Sequence, residues 1–234
     1  EWTERFDGPR PDGIRVSAER IAAAHVPDDV LVALRRMIDA VRAFNDAQRP
    51  ADTAVEAAPG IVSERRWLPL AAAGLCVPSG TFSLPSSLVM TAVPAQVAGV
   101  ERIAVVTPNP VDATLVAARE LGLDEIYAVG GAQAVAALAS GTPSIPAVDA
   151  VVGPGNRFVT AAKLLVPARG RIDLPAGPSE VVVIAAASAD ADACAADLLA
   201  QAEHGPDSEA LLLTDSAVLA EAVAARVGGS ENVR

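Results

Sequence analysis

Short apolar segments alternate with longer helical segments over most of this chain, and that alternation constrains the fold more than any other feature. The apolar segments are rich in Val and Ile, and they predict strands at 102–107, 125–129, 148–153, 181–186 and 210–214, with a short strand starting at Ile172. The segments between them predict helices at 86–98, 111–121, 132–140, 156–166, 190–203 and 217–227. Because the connections are short, we expect an α/β fold with a doubly wound, mainly parallel sheet.

The first 70 residues carry weaker signals. Apolar residues recur at helical spacing over 17–45, and Pro27 marks a helix start between two segments. The Pro-, Ala- and Asp-rich stretch 49–60 is typical of a connector or a weak strand, and 61–69 alternates enough for a strand. The most continuous apolar stretch of the chain, 181–187, predicts a buried parallel strand.

Charge, hydropathy and cysteine content exclude several kinds of partner. The formal net charge is −11, so we expect no nucleic acid partner. No apolar run reaches the roughly 18 residues of a membrane span without a charge, Pro or Gly, so we expect no membrane partner. Cys76 and Cys194 lie far apart without metal-binding spacing, which indicates two free thiols in a cytoplasmic protein.

Three glycine-containing turns follow predicted strands, where ligands bind in parallel sheets. Each contains a side chain that can form hydrogen bonds, namely Gln133, Asn156 and Ser179. Glycines let a ligand approach the backbone, and helix N-termini offer N–H groups to phosphate. None of the turns matches the GxGxxG fingerprint, and each alone is better explained as a plain strand-to-helix connection. Together they favour a binding site.

A second candidate site lies at the end of the helix 190–203. Gln201 and His204 are three residues apart, hence on one helix face, where an imidazole and an amide oxygen can share a metal. An isolated histidine is more often a surface or core residue, and zinc sites usually need three or four protein ligands. The other histidine, His25, belongs to no motif. By itself this pair is a weak metal signal.

Several long segments resemble the NAD-dependent L-histidinol dehydrogenase family almost continuously from Gly74 to Thr214. They include PSGT from Pro78, VGGAQAVAALASGT from Val129, VVGPGNRFVTAAK from Val151, IDLPAGPSEVVVIA from Ile172 and DLLAQAEHGPDSEALLLT from Asp197. The resemblance implies oxidation of L-histidinol to L-histidine in two NAD-dependent steps, through an aldehyde-level intermediate. It also implies zinc, which holds the substrate, and a homodimer whose active sites take residues from both chains.

The resemblance assigns roles to the residues of both candidate sites. Gln133 and Asn156 would contact NAD, Ser179 would contact the substrate, and Gln201 and His204 would bind zinc and face the substrate. The implied fold has two incomplete Rossmann-like domains with mainly parallel sheets. Residues 76–180 would form the NAD-binding domain, and residues 1–75 together with 181–234 would form a second α/β domain that is incomplete at its C-terminal end.

The chain departs from the family pattern in two respects. Cys76 stands where the family has a tyrosine that touches the cofactor, so stacking area for NAD is reduced. The Glu-His pair that acts as the family's general base, within a Pro-Glu-His-Leu motif, does not occur in these 234 residues, and the catalytic residues therefore stay unknown.

Three explanations of the second departure are open. The sequence is part of a longer chain, which we favour; or it is a short paralogue without the family's usual chemistry; or another polypeptide supplies the other half. The functional alternatives are a non-catalytic nucleotide-binding protein and a relative that oxidises another small amino or hydroxy alcohol.

Overall fold

The structure, a computed structural model, describes residues 2–8, 13–79, 84–166, 170–175, 179–202, 208–229 and 233. The chain forms two compact units, residues 1–176 and 177–234. The helices of the first unit are α1 (Trp2–Asp7), α2 (Ala18–Ala23), α3 (Asp28–Gln48), α4 (Pro85–Val97), α5 (Asp112–Glu120), α6 (Gly131–Ser140) and α7 (Arg157–Leu164). Its strands are β1 (Thr53–Ala58), β2 (Ile61–Arg65), β3 (Ala72–Cys76), β4 (Arg102–Val106), β5 (Ile126–Tyr127), β6 (Ala150–Val152) and β7 (Arg171–Ile172).

A five-stranded parallel sheet organises the first unit, with strand order β5-β4-β3-β6-β7. The chain starts at the central strand β3, moves outward to β4 and β5, and then returns to the other side of β3 for β6 and β7. The order reverses between β3 and β6, and ligands bind at such a switch point in doubly wound sheets. This topology confirms the predicted α/β fold with a mainly parallel sheet.

Helices cover the two faces of this sheet in separate layers. Side chains alternate along β3, so that Ala73 and Leu75 pack with α4 and α5, while Ala72 and Cys76 pack with α6 and α7. Helices α2 and α3 lie outside α4 and α5 and belong to the same core cluster. Helices α6 and α7 follow the strands β5 and β6, so both helices begin at the carboxyl edge of the sheet.

A two-stranded antiparallel hairpin, β1 with β2, precedes the sheet. It turns at Gly60, whose φ of +79° favours glycine. Every residue of both strands is exposed. The sequence predicted only a connector or weak strand for 49–60, because this stretch lacks the apolar alternation that a buried strand would require.

The second unit contains β8 (Val181–Ile184), α8 (Ala191–Ala202), β9 (Ala210–Leu213) and α9 (Ala217–Val227), and β8 pairs with β9 in parallel. The prediction of a buried strand over 181–187 was wrong in two respects. The strand is shorter, and Ile184 is 83% exposed. Within the described part of this unit, α8 and α9 bury only alternate residues of β8, so the apolar stretch is half-buried.

Two further sequence predictions concern membrane spans and the division of the chain into domains. Among the described residues, no helix is both long and apolar enough to cross a membrane. The assignment of residues 1–75 and 181–234 to one domain stays a prediction.

Candidate functional site

Two strands meet closely at the switch point of the first unit. Leu75 of β3 lies beside Val152 of β6, and the chain then turns at Gly153 with a φ of +107°. A Cβ atom at Gly153 would lie 2.2 Å from the carbonyl oxygen of Cys76. Only glycine fits this backbone approach, so the turn after β6 is fixed directly against the end of β3.

Asn156 directly precedes α7, the helix that follows this turn, as its N-cap residue. Its Oδ1 accepts hydrogen bonds from the N–H groups of Phe158 at 3.0 Å and Val159 at 3.1 Å. The side chain therefore caps α7 while remaining exposed at the carboxyl edge. Because Oδ1 is occupied by the cap, Asn156 would offer its amide N–H groups to a ligand.

The capping role of Asn156 gives a stability prediction. We expect Asn156→Ala to lower the free energy of unfolding by about 1 kcal/mol, because two helix N–H groups lose their acceptor. Asn156→Ser keeps an acceptor oxygen and should cost only a few tenths of that amount. Urea denaturation of the three proteins measures the difference. Equal losses for Ala and Ser would contradict a capping role.

Gln133 lies in the first turn of α6, at the same edge of the sheet. It follows Gly131, whose φ is +72°, and its Oε1 would be 2.8 Å from a Cβ atom placed there. The side chain is half-buried. Strands β5 and β6, which lead to Gln133 and Asn156, are three strand spacings apart, or about 14 Å. The sequence-predicted cofactor residues thus lie on two helix N-termini along one edge.

The turn after β3 is connected to the turn after β4. Ser79 is buried, and its hydroxyl oxygen accepts the N–H of Asn109 at 2.8 Å. Gly80 and Thr81, which complete the Pro-Ser-Gly-Thr turn, lie outside the described residues. Ser79, for which the sequence predicted no role, therefore joins the turns that follow the neighbouring strands β3 and β4.

Cys76 ends β3 with its thiol in the core rather than at the surface. The residue is 6% exposed and packs on the α6 and α7 side of the sheet. Burial raises the pKa of the thiol to about 12, against a lowering by the ammonium of Lys163. The thiol is protonated at neutral pH and behaves as a small apolar group. Both cysteines are free, as predicted; contact between Cys76 and a cofactor stays a prediction.

In the second unit, two predicted substrate residues lie together. The Nε2 of Gln201 donates to the carbonyl oxygen of Ser179 at 2.5 Å and to its hydroxyl oxygen at 2.9 Å. The residues are 22 positions apart in sequence. This contact orients the Gln201 amide, and its Oε1 is the atom that would bind a metal.

The predicted metal site is incomplete in the described part of the chain. His204 lies outside the described residues. Among those described, no group of three or more His, Cys, Asp or Glu side chains converges as a metal site would require. Zinc normally takes three or four protein ligands. The described residues do not fit a zinc ion by themselves, so zinc binding stays a prediction.

Lys163 and Asp173 were missed by the sequence analysis. Lys163 is 1% exposed, and its ammonium donates to Gly153 O at 2.9 Å and to the carboxylate of Asp173. A signal was present in the sequence, because Lys163 follows Val159 by four residues and so shares its buried helix face. Asp173 gave no comparable signal, since only the pairing of β7 with β6 brings it to Gly153.

A groove of about 790 Å³ lies on the opposite side of the sheet from α6 and α7. Its lining includes Ala73, Met90, Thr91, Val152 and Asp173. Neither Gln133 nor Asn156 lines it. The groove is therefore separate from these two helix N-termini, although Asp173, which contacts Gly153, lines it.

Comparison with known proteins connects these features. Residues 1–232 match the model of the family described as histidinol dehydrogenase. Histidinol dehydrogenase from Aliivibrio fischeri is 46% identical over 228 residues, which are 95% of this chain and 52% of that protein. The Photobacterium profundum enzyme of the same name is 46% identical over 230 residues, 96% of this chain and 52% of its own length.

A solved structure agrees with the sequence relatives. Histidinol dehydrogenase from Elizabethkingia anophelis superposes with a TM-score of 0.88 at 37% sequence identity. The match covers 97% of this chain and 54% of that protein. The chain thus spans about half the length of the relatives it matches. Because the family model covers nearly every residue and the fold agrees, the chain belongs to the histidinol dehydrogenase family.

Proposed function

We propose that this chain takes part in the NAD-dependent oxidation of L-histidinol to L-histidine, in two steps through an aldehyde-level intermediate, as a step of histidine biosynthesis. One observation carries the proposal beyond family membership. Gln133 and Asn156, the residues that the resemblance assigns to NAD, lie at two helix N-termini on the carboxyl edge of one doubly wound sheet. This is the edge at which such sheets bind dinucleotides.

The carboxyl edge has features that suit a dinucleotide. Glycine at positions 131 and 153 keeps the backbone bare where a side chain would collide. The N-terminus of α6, which has no side-chain cap, presents N–H groups that favour phosphate, whereas at α7 the cap by Asn156 already takes the N–H groups of Phe158 and Val159. NAD, when bound, supplies the hydride acceptor of the oxidation. The chain's own contribution is to orient it through the amides of Gln133 and Asn156.

Cys76 modifies this binding. Its thiol is small and buried, so it gives the cofactor less stacking surface than the tyrosine of the family pattern. We therefore propose that NAD binds here mainly through polar contacts at the edge of the sheet.

Ser179 and Gln201 are proposed to hold the substrate. A hydroxyl and an amide can exchange hydrogen bonds with the amino and hydroxyl groups of an amino alcohol, and their mutual contact orients both. Zinc at Gln201 and His204 belongs to the proposal, but its remaining ligands and the general base would lie in the half of the relatives that this chain does not match. A cytoplasmic homodimer with shared active sites completes the proposal.

Calorimetric titration with NADH tests the first part. We expect saturable binding to the full-length gene product and about tenfold weaker binding by Gln133→Ala, the cost of losing one good hydrogen bond. Gln48→Ala, an exposed glutamine at the end of α3, is the matched control and should leave the affinity unchanged. Absence of NADH binding would overturn the proposal.

The second part is tested on the full-length gene product. L-Histidinol should drive reduction of NAD, measured by the absorbance of the reduced nicotinamide. Binding of NADH without any turnover of L-histidinol would instead favour the non-catalytic nucleotide-binding alternative. Turnover of a different amino alcohol would favour a relative with a changed substrate.

A further inference from the structure

An ion pair between a buried lysine and a partly exposed aspartate fixes the turn at the switch point. The ammonium of Lys163 donates to the carbonyl oxygen of Gly153 at 2.9 Å and to one carboxylate oxygen of Asp173. The other carboxylate oxygen accepts the N–H of Gly153 at 2.7 Å. Both backbone polar groups of a single glycine are therefore held by one lysine and one aspartate.

The ion pair lies where three neighbouring strands end. Gly153 directly follows β6, Asp173 directly follows β7, and Cys76 ends β3, against whose carbonyl oxygen Gly153 is packed. Lys163 comes from α7, the helix that Asn156 caps. The ion pair thus connects the start of the turn, at Gly153, with the helix that ends it.

The energetics favour a directional role for this pair over a purely stabilising one. Removing an ammonium from water costs several kcal/mol, and a buried ion pair is often no more stabilising than apolar residues of similar volume. Lys163 lies in an apolar layer with Val159, where a methionine or leucine of similar volume would bring no charge to bury. Unlike those residues, the ion pair can orient a peptide group through hydrogen bonds at defined angles.

We infer that Lys163 and Asp173 are positioning residues, which hold the turn from Gly153 to Asn156 in the shape that receives the dinucleotide. The inference rests on the proposed function, because that function puts NAD at Asn156. Neither side chain needs to touch the cofactor. Their effect passes through the backbone of Gly153.

The test compares NADH affinity with stability in substituted chains. Lys163→Met keeps the aliphatic volume and removes the charge, and Asp173→Ala removes both carboxylate oxygens. For each we expect the dissociation constant of NADH, measured by calorimetry on folded protein, to rise about tenfold or more. Asp173→Asn keeps an acceptor for the Gly153 N–H and should show a smaller rise.

Arg102 and Glu125 supply a matched control at the opposite edge of the same sheet. Arg102 begins β4, contacts Glu125 at 2.7 Å, and also donates to the carbonyl oxygens of Pro146 and Ala147. Arg102→Met therefore breaks a part-buried ion pair with backbone contacts, as Lys163→Met does. We expect it to lower stability and to change NADH affinity by less than about twofold. An equal loss of affinity in both variants would reduce the role of Lys163 to stability and overturn the inference.

Amide hydrogen exchange at Gly153 gives a readout that does not depend on the cofactor. Exchange should be slow in the unsubstituted chain and faster in Asp173→Ala, while Arg102→Met leaves it slow. If Lys163→Met does not fold, Asp173→Ala decides, since the side chain of Asp173 is 36% exposed and tolerates truncation better. An unchanged exchange rate with unchanged affinity in Asp173→Ala would overturn the inference.

Failure of the inference and failure of the proposed function are distinguishable. If the unsubstituted chain does not bind NADH, the proposed function falls and the inference falls with it. If the unsubstituted chain binds NADH and the Lys163 and Asp173 variants bind it equally well, only the inference falls.

Discussion

Gly153→Ala is expected to destabilise the first unit by about 3 kcal/mol or more, the sum of a backbone penalty and a collision. The φ of +107° is unfavourable for any residue with a Cβ atom. The added methyl would also lie 2.2 Å from the carbonyl oxygen of Cys76 and 3.1 Å from its backbone nitrogen. Both are backbone atoms of a central strand, so neither can move aside without disturbing the sheet.

Gly122→Ala separates the two contributions. Gly122 follows α5 with a φ of +70°, and a Cβ atom there would meet nothing within 4 Å. This variant carries the backbone penalty without the collision and should cost about 1–2 kcal/mol. Urea denaturation of both variants gives the comparison. Equal costs would mean that β3 and the turn after β6 move apart easily to admit the methyl group. The close approach at Gly153 would then contribute nothing to stability.

The same glycine illustrates how far the sequence alone leads. The apolar, β-branched segment 148–153 predicts a strand that ends in a glycine turn, and the structure confirms it as β6, which ends directly before Gly153. The close approach of Gly153 to β3 was not predicted. The register that sets β6 beside β3 was not available from the pattern, because it depends on which strands become neighbours. Local periodicity therefore predicts the turn, and only the topology gives its partner.

The candidate site divides in the same way. Gln133 and Asn156 were predicted because each follows a glycine turn at the end of a strand, which is a local feature. The ion pair of Lys163 with Asp173 and the contact of Gln201 with Ser179 join residues from different elements. Neither contact follows from a regular spacing in the sequence, so both could be identified only in the folded structure.

The exposed strands show a further limit. Periodicity predicted that 181–187 is buried, because a continuous apolar run is typical of a strand covered on both faces. In the described residues of the second unit, β8 has helices on one face, and Ile184 lies on the other. An apolar sequence indicates that a strand favours apolar surroundings. Whether the strand is buried depends on which other elements pack against it.

A double substitution at Gly74 and Leu138 should be strongly non-additive. Leu138→Ala removes a fully buried side chain of α6 and should cost about 2–5 kcal/mol. Gly74→Ala should cost about 1–3 kcal/mol, because its Cβ atom would lie 2.8 Å from both terminal methyl groups of Leu138. Combined, the smaller side chain at 138 leaves room for the new methyl. The double variant should then be more stable than the sum of the single losses predicts, by about 1–3 kcal/mol.

Leu115→Ala is the matched control for this cycle. Leu115 is also fully buried, but it belongs to the core cluster on the other face of the sheet, with α4 and α5. Its loss should add to that of Gly74→Ala within about 0.5 kcal/mol. Additivity in the Leu138 pair as well would mean that α6 does not rest on β3 through this contact. The contact between Leu138 and Gly74 packs α6 against β3. Because Gln133 lies five residues before Leu138 on the same helix, this contact also affects the position of Gln133 at the carboxyl edge.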